Sequence, residues 1–251
     1  MRIAVAGGTG QVGAPVVEAL RARGDEVVVL SRSEGVDLTT GEGLAGALAG
    51  VEVIIDASST TARDKDGCVA FFGAVARNLQ EAGAAAGVRR IVTLSIVGID
   101  GLDGGGAFGH YAGKLAQEAA TEAGSVPTVI LRATQFHGFP AQLIDWVAKG
   151  PFLPVPKQPV QTVEVDAVVR HLVRLVDAEV GSDHERVDLA GPEKQLLADL
   201  CRRTAAARGK RLVVIPVWLP GTTPRRIREG ALQAPPGAII DGRTFAEALV
   251  G

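Results

Sequence analysis

Through the first half of the chain, short apolar runs alternate with longer amphipathic stretches. The runs Ile3–Ala6, Val27–Leu30, Val51–Asp56, Ile91–Leu94 and Thr128–Leu131 are continuous rather than alternating. A strand of that pattern is covered on both faces, as in a parallel sheet sandwiched between helices. Helical spacing predicts helices over Val12–Arg23, Leu44–Ala49, Val69–Ala86 and His110–Ala123 between them. Strand and helix thus recur as βαβ units. A short extra strand is expected near Val36-Asp37-Leu38.

Beyond about residue 136 the pattern changes. Pro151-Phe152-Leu153-Pro154-Val155-Pro156 is too proline-rich for a helix. A strand-like Val160–Val165 follows, then a helix for which Asp166 is the expected N-cap. Val187–Ala190 and Leu212–Pro216 read as strands around a helix near Gln195–Ala207, and Trp218–Gly242 as irregular. The expected organisation is a core over residues 1–136. A smaller C-terminal part, 137–251, completes the sheet and shapes a substrate pocket within one compact unit.

Composition narrows the function. At 47% hydrophobic and 22% charged residues, the 251-residue chain can bury a substantial core. A net charge of −2 with no basic stripe gives no footprint for nucleic acid. No apolar run is long enough to span a bilayer. The first strand begins at once, without the basic and apolar regions of a secretory signal. Cys68 and Cys201 form neither a metal spacing nor a disulfide framework, so a cytoplasmic protein with reduced thiols is expected. His110, His137, His171 and His184 lack ligand spacing, so no metal site is expected. Monomer and homodimer are both open. Arg225, Arg226 and Arg228 read as a solvated surface segment.

The strongest chemical signal is Gly7-Gly8-Thr9-Gly10-Gln11-Val12-Gly13, between the first strand and the first helix. A pyrophosphate needs main-chain N–H donors at close range, and a side chain at the turn would block it. The helix that follows aims its own N–H groups at the same phosphate. Strand, glycine loop and helix in this order predict a Rossmann-type α/β fold, doubly wound, with a parallel sheet and helices on both faces. Gly7, Thr9, Gly10, Gln11, Val12 and Gly13 are the expected loop contacts.

The second strand ends in Ser31-Arg32, where an NAD site would carry a carboxylate for the ribose 2′-hydroxyl. A guanidinium there suits a 2′-phosphate, so NADP(H) is the expected cofactor. A solvent-facing arginine is the competing reading. Asp37-Leu38 and Asp56-Ala57-Ser58-Ser59 end later strands, where open α/β sheets bind their ligands. Asp37 and Leu38 are expected at the adenine, and Ala57, Ser58 and Ser59 along the cofactor. A turn or capping role competes for each.

The chain resembles the NmrA-like branch of the atypical short-chain dehydrogenase/reductases. The resemblance rests on the glycine loop, Leu30-Ser31-Arg32, Val92-Thr93-Leu94-Ser95-Ile96-Val97-Gly98 and Lys114-Leu115-Ala116-Gln117-Glu118. It continues through Leu131-Arg132-Ala133-Thr134-Gln135-Phe136 and Asp188-Leu189-Ala190-Gly191-Pro192. In the wider superfamily a serine ends the corresponding strand and a Tyr-x-x-x-Lys pair opens the next helix. The resemblance therefore implies that Ser95 is a catalytic serine and that Lys114 binds the nicotinamide ribose. The tyrosine position, four before Lys114, holds His110, and Tyr111 stands three before it. Both lie near Lys114 on a helix, and they diverge by about 100°. The proton source is thus His110 or Tyr111.

The loop Gly98–Gly109 reads either as a lid over the nicotinamide or as a plain connection. Phe136, His137 and Trp146 are expected at the substrate, with Phe139 and Trp218 as further apolar candidates; packing of the C-terminal part competes. The first functional reading is an NADPH-dependent reductase of a small apolar carbonyl, enone or quinone. The second is a non-enzymatic NADP(H)-binding regulator or redox sensor, favoured by the displaced tyrosine. A nucleotide-sugar epimerase, which would want an intact Tyr-x-x-x-Lys, comes third.

Overall fold

The computed structural model describes residues 1–102, 108–178 and 184–250. The first strand, β1 (Arg2–Ala6), leads through the glycine loop into α1 (Gly13–Ala22) and β2 (Glu26–Leu30). Then come α2 (Leu44–Ala47), β3 (Val53–Asp56), α3 (Lys65–Ala86), β4 (Arg90–Ile96), α4 (Gly109–Glu122) and β5 (Thr128–Ala133). The later part of the chain supplies α5 (Phe139–Val147), β6 (Phe152–Pro156), β7 (Pro159–Val160), α6 (Val165–Leu175) and β8 (His184–Ala190). It ends with β9 (Gln195–Leu196), α7 (Leu197–Ala207), β10 (Val213–Val217), α8 (Thr222–Arg228), β11 (Ile239–Ile240) and α9 (Phe245–Val250).

Seven strands form one parallel sheet in the order β11-β8-β5-β4-β3-β1-β2. From β1 the chain goes to β2 on one side and then to β3 on the other. That reversal opens a crevice at the carboxyl ends of β1 and β3, where a doubly wound sheet takes its ligand.

The chain divides into two compact units. The first comprises Met1–Ser95, Asp103–Arg132 and Val168–Val187, and the second Ile96–Leu102, Ala133–Ala167 and Asp188–Gly251. The core of the first packs Ala4, Ala6, Leu30, Ile54 and Ile91 of the strands against Leu44, Val75 and Leu79 of α2 and α3. The core of the second packs Ile144 of α5 and Leu197, Leu200 and Cys201 of α7 against Leu153 and Val155 of β6.

The five strands expected in the first half form within two residues of their expected ends. Four other expectations are corrected. Helix α3 starts at Lys65 rather than Val69, because the Asp64 carboxylate caps it by accepting from Gly67 N at 2.7 Å. Val36–Leu38 is not a strand. Asp37 Oδ1 takes the amides of Thr39 and Thr40 at 2.8 and 3.3 Å and closes a turn. Asp166 lies in the first turn of α6, which starts at Val165, so it faces the positive helix end rather than capping it. The stretch expected to be irregular, Trp218–Gly242, holds α8 and β11.

The arginines of α8 are engaged. Arg226 reaches the Gly101 carbonyl at 3.2 Å, while Arg228 reaches Leu219 O at 2.7 Å and lies over the Trp218 ring. The lid reading of Gly98–Gly109 falls partly on residues 103–107, outside the described residues.

Candidate cofactor and active site

The loop after β1 is built by backbone proximity. Gly7 takes φ 74°, a conformation that only glycine adopts without strain. A Cβ on it would lie 2.7 Å from the Ala57 carbonyl oxygen across the sheet reversal, and one on Gly13 would lie 2.1 Å from Gly7 O. Gly10 N donates to Gly7 O at 2.9 Å and closes the turn, leaving Thr9, Gly10 and Gln11 exposed at its crest. Val12 is buried and begins α1 with no side-chain cap and no acidic residue in the first turn. Ala14 N and Val16 N bond back to Gly10 O and Val12 O at 3.0 and 3.1 Å and Pro15 has no N–H, so α1 offers an anion its positive dipole end. Beside the loop the Ser58 hydroxyl is buried and has no hydrogen-bond partner among the described residues. A tight turn with no room for a Cβ at Gly7 or Gly13, a positive helix end and the buried Ser58 hydroxyl fit a dinucleotide with its phosphate and ribose oxygens.

Ser31 and Arg32 follow β2. The Ser31 and Ser33 hydroxyls are 2.9 Å apart, and Arg32 opens an exposed single turn of helix. Asp37 is bound into its own turn and held below the usual carboxylate range, chiefly by its bond from the Thr39 hydroxyl. Leu38 gives its carbonyl to Asn78 Nδ2 at 2.9 Å. Ala57 is half-buried and its amide donates to Ala6 O at 3.0 Å, while Ser59 is exposed.

Helix α4 carries the remaining candidates. The buried Lys114 donates to Leu94 O at 2.9 Å, to Gln117 Oε1 at 2.8 Å and to Ser58 O at 3.5 Å, with the Phe72 ring 4.4 Å away. Its ammonium thus sits at the carboxyl ends of β3 and β4. Burial pushes its pKa down to about 8, against the upward pull of Asp56 and Glu118.

His110, one turn earlier, packs edge-on against Phe72, with centroids 5.2 Å apart. Burial and the neighbouring Lys114 push it down to about 4, so the imidazole is neutral near pH 7. Tyr111 stacks on Phe108 at 6.1 Å, and burial pushes its phenol up to about 12. Tyr111 and Glu118 are two turns apart and share one stripe of α4, within about 20°. Glu118 accepts the Ser95 hydroxyl at 2.5 Å and is held bidentate by Arg132, at 2.9 and 2.5 Å. Tyr111 is therefore on the Ser95 side of the helix and His110 on the α3 side.

The three substrate candidates fall in the second unit. Phe136 forms an isolated bridge to Val163. Both ring nitrogens of His137 are engaged, with Thr162 Oγ1 at 2.8 Å and Arg243 O at 3.0 Å. A carbonyl only accepts, so Nε2 carries the proton. Trp146 is 56% exposed on α5.

Sequence reasoning missed Asp56 and Gln117 as partners of Lys114, and Phe72 as the surface that sorts His110 from Tyr111. The available signal was the spacing of Lys114 and Gln117, which puts them on one helix face. Both cysteines are free and buried. Among the described residues there is no cluster able to hold a metal, and no helix is long and apolar enough to cross a membrane.

Comparison with known proteins agrees with this geometry. An NAD(P)H-binding family model matches residues 7–152. No curated protein matches the chain in sequence. Among solved structures, a short-chain dehydrogenase/reductase superfamily protein from Agrobacterium tumefaciens with bound NAD has a TM-score of 0.71. It is 21% identical, over 100% of this chain and 95% of that one. UDP-glucose 4-epimerase of Thermus thermophilus in complex with NAD has a TM-score of 0.67 at 21% identity, over 93% and 94% of the two chains. The triphenylmethane reductase of a Citrobacter species, complexed with NADP(H), has a TM-score of 0.66 at 18% identity, over 94% and 92%. These likenesses are of fold, and the family match covers more than half of the chain. With its glycine loop, sheet reversal and buried lysine, the chain belongs to the NAD(P)H-binding family whose model it matches.

Proposed function

We propose that this protein is an NADPH-dependent reductase of the NmrA-like branch, acting on a small apolar carbonyl, enone or quinone. The observation that carries the reading is Lys114, a buried ammonium held at the carboxyl ends of β3 and β4 beside the orphaned Ser58 hydroxyl. The α1 N-terminus and the Gly7–Gly13 amides hold the pyrophosphate, and Lys114 and Ser58 hold the nicotinamide ribose. Arg32 supports NADP(H) over NAD(H), because its fork matches a 2′-phosphate and no carboxylate replaces it at the end of β2.

A bound reduced nicotinamide supplies the hydride. Tyr111 would hold the proton for the substrate oxygen, since its phenol stays protonated far above neutral pH. His110 is neutral near pH 7 and packed on Phe72, so it is the poorer proton donor. Ser95 donates to Glu118, which lies on the same stripe of α4 as Tyr111. Substrate choice is assigned to the chain from Phe136 onward, with Phe136 and Trp146 as apolar contacts. The buried free thiols suit a reducing cytoplasm.

NADPH oxidation against a panel of quinones and enones tests the reading. Turnover that Lys114→Ala abolishes supports it. Tight NADPH binding with no turnover on the whole panel would replace it with a cofactor-sensing regulator.

A further inference from the structure

Asp56, Ser58, Lys114 and Gln117 close a ring of hydrogen bonds between the end of β3 and the middle of α4. Lys114 Nζ donates to Gln117 Oε1 at 2.8 Å, and Gln117 Nε2 donates to Asp56 Oδ2 at 2.6 Å. Asp56 Oδ1 takes the Ser58 amide at 3.0 Å, and Ser58 O returns to Lys114 at 3.5 Å. The amide orientation of Gln117 is chemically forced: an ammonium only donates and an ionised carboxylate only accepts. All four residues are buried. Each of the three ammonium protons has an acceptor, and the 3.5 Å contact to Ser58 O is the weakest.

We propose that Gln117 is a positioning residue for the cofactor-binding lysine. It takes one ammonium proton, is itself oriented by Asp56, and leaves the proton facing Ser58 to turn to a ribose hydroxyl. This deepens the cofactor reading above and rests on it. Without Gln117 the buried ammonium would keep Leu94 O as its one close acceptor, over the Phe72 ring, and its charged form would weaken. The other titratable groups facing it are Asp56 on β3 and His110 and Glu118 on α4, while the Cys68 thiol of α3 is turned to Ala62 O at 3.3 Å. Asp56 and Glu118 favour the charge, and the neutral His110 adds none.

The test combines Gln117→Met, which keeps volume and removes the acceptor, with Asp56→Asn, which keeps shape and removes the charge. Titration of the Lys114 ε-carbon by 13C NMR without cofactor reads the ammonium directly. The wild-type midpoint is expected at about 8, and both variants should lower it by about one unit. NADPH binding by fluorescence should then weaken about threefold at pH 7.5 and stay nearly equal to wild type at pH 6. A midpoint that does not move, or an equal loss of affinity at both pH values, overturns the role of Gln117. Should Gln117→Met fail to fold, Gln117→Leu, which also removes the acceptor, is titrated and decides by the same criterion, with Asp56→Asn as the control for charge alone. Absence of NADPH uptake by the wild type at both pH values overturns the cofactor reading instead, because the lysine titration needs no cofactor.

Discussion

The His110 imidazole meets the Phe72 ring edge-on at 5.2 Å, on the face where α4 packs against α3. That contact separates two adjacent residues that compete for one role. Tyr111→Phe is expected to lower kcat by about 10²–10⁴-fold with NADPH affinity unchanged. His110→Asn should leave kcat within about threefold. Steady-state kinetics with any substrate found active checks both, and the reverse ranking would transfer the proton role to His110.

Arg32→Ala should weaken NADPH and spare NADH. Loss of a charge-assisted fork on a phosphate is worth about 1.5–3 kcal/mol, or roughly 10–100-fold in affinity. Calorimetric titration with both nucleotides checks the difference, and equal losses would remove Arg32 from the site.

The glycines of the loop separate fold from binding. A Cβ on Gly13 would lie 2.1 Å from Gly7 O, so Gly13→Ala should cost at least about 2 kcal/mol in urea unfolding. At Gly10 the nearest atom, Gly7 O, would be 3.2 Å away, a tight contact that a small shift relieves, so Gly10→Ala should cost less stability than Gly13→Ala. It should still bind NADPH about tenfold more weakly, because the methyl occupies the crest where the phosphate approaches.

Acid stability should carry the signature of His110. Its imidazole titrates at about 4 when folded and near 6.5 when unfolded. Between these values the unfolded chain binds more protons, so stability falls as pH drops through that window, by about 3 kcal/mol at most. In His110→Phe that component should vanish, leaving a flatter stability profile from pH 6.5 to 4 by denaturant unfolding.

Glu118 and Arg132 form a buried bidentate pair that also anchors the Ser95 hydroxyl. Glu118→Leu leaves the guanidinium buried, with Arg186 close by on the same carboxylate. It should cost about 3–5 kcal/mol. A loss under about 1 kcal/mol in urea unfolding would show that Arg132 escapes to solvent.

The alternation of strands and helices, the glycine loop and Arg32 at the end of β2 were legible in the sequence. Hydrophobic period and the demand for a side-chain-free turn are local properties, written in consecutive residues. The turn at Val36–Leu38 was missed because Asp37 competes with the ladder through its own side chain, which apolar patterning does not register. The helix within Trp218–Gly242 was missed because it is short and arginine-rich. Telling which of His110 and Tyr111 packs on Phe72 needed the face of α4 that meets α3, since neighbours about 100° apart on a helix are equivalent until something packs on one of them. The hold on Lys114 depended likewise on Asp56 and Gln117, which stand 61 residues apart. No spacing rule joins such positions, and the folded sheet brings them within one hydrogen bond.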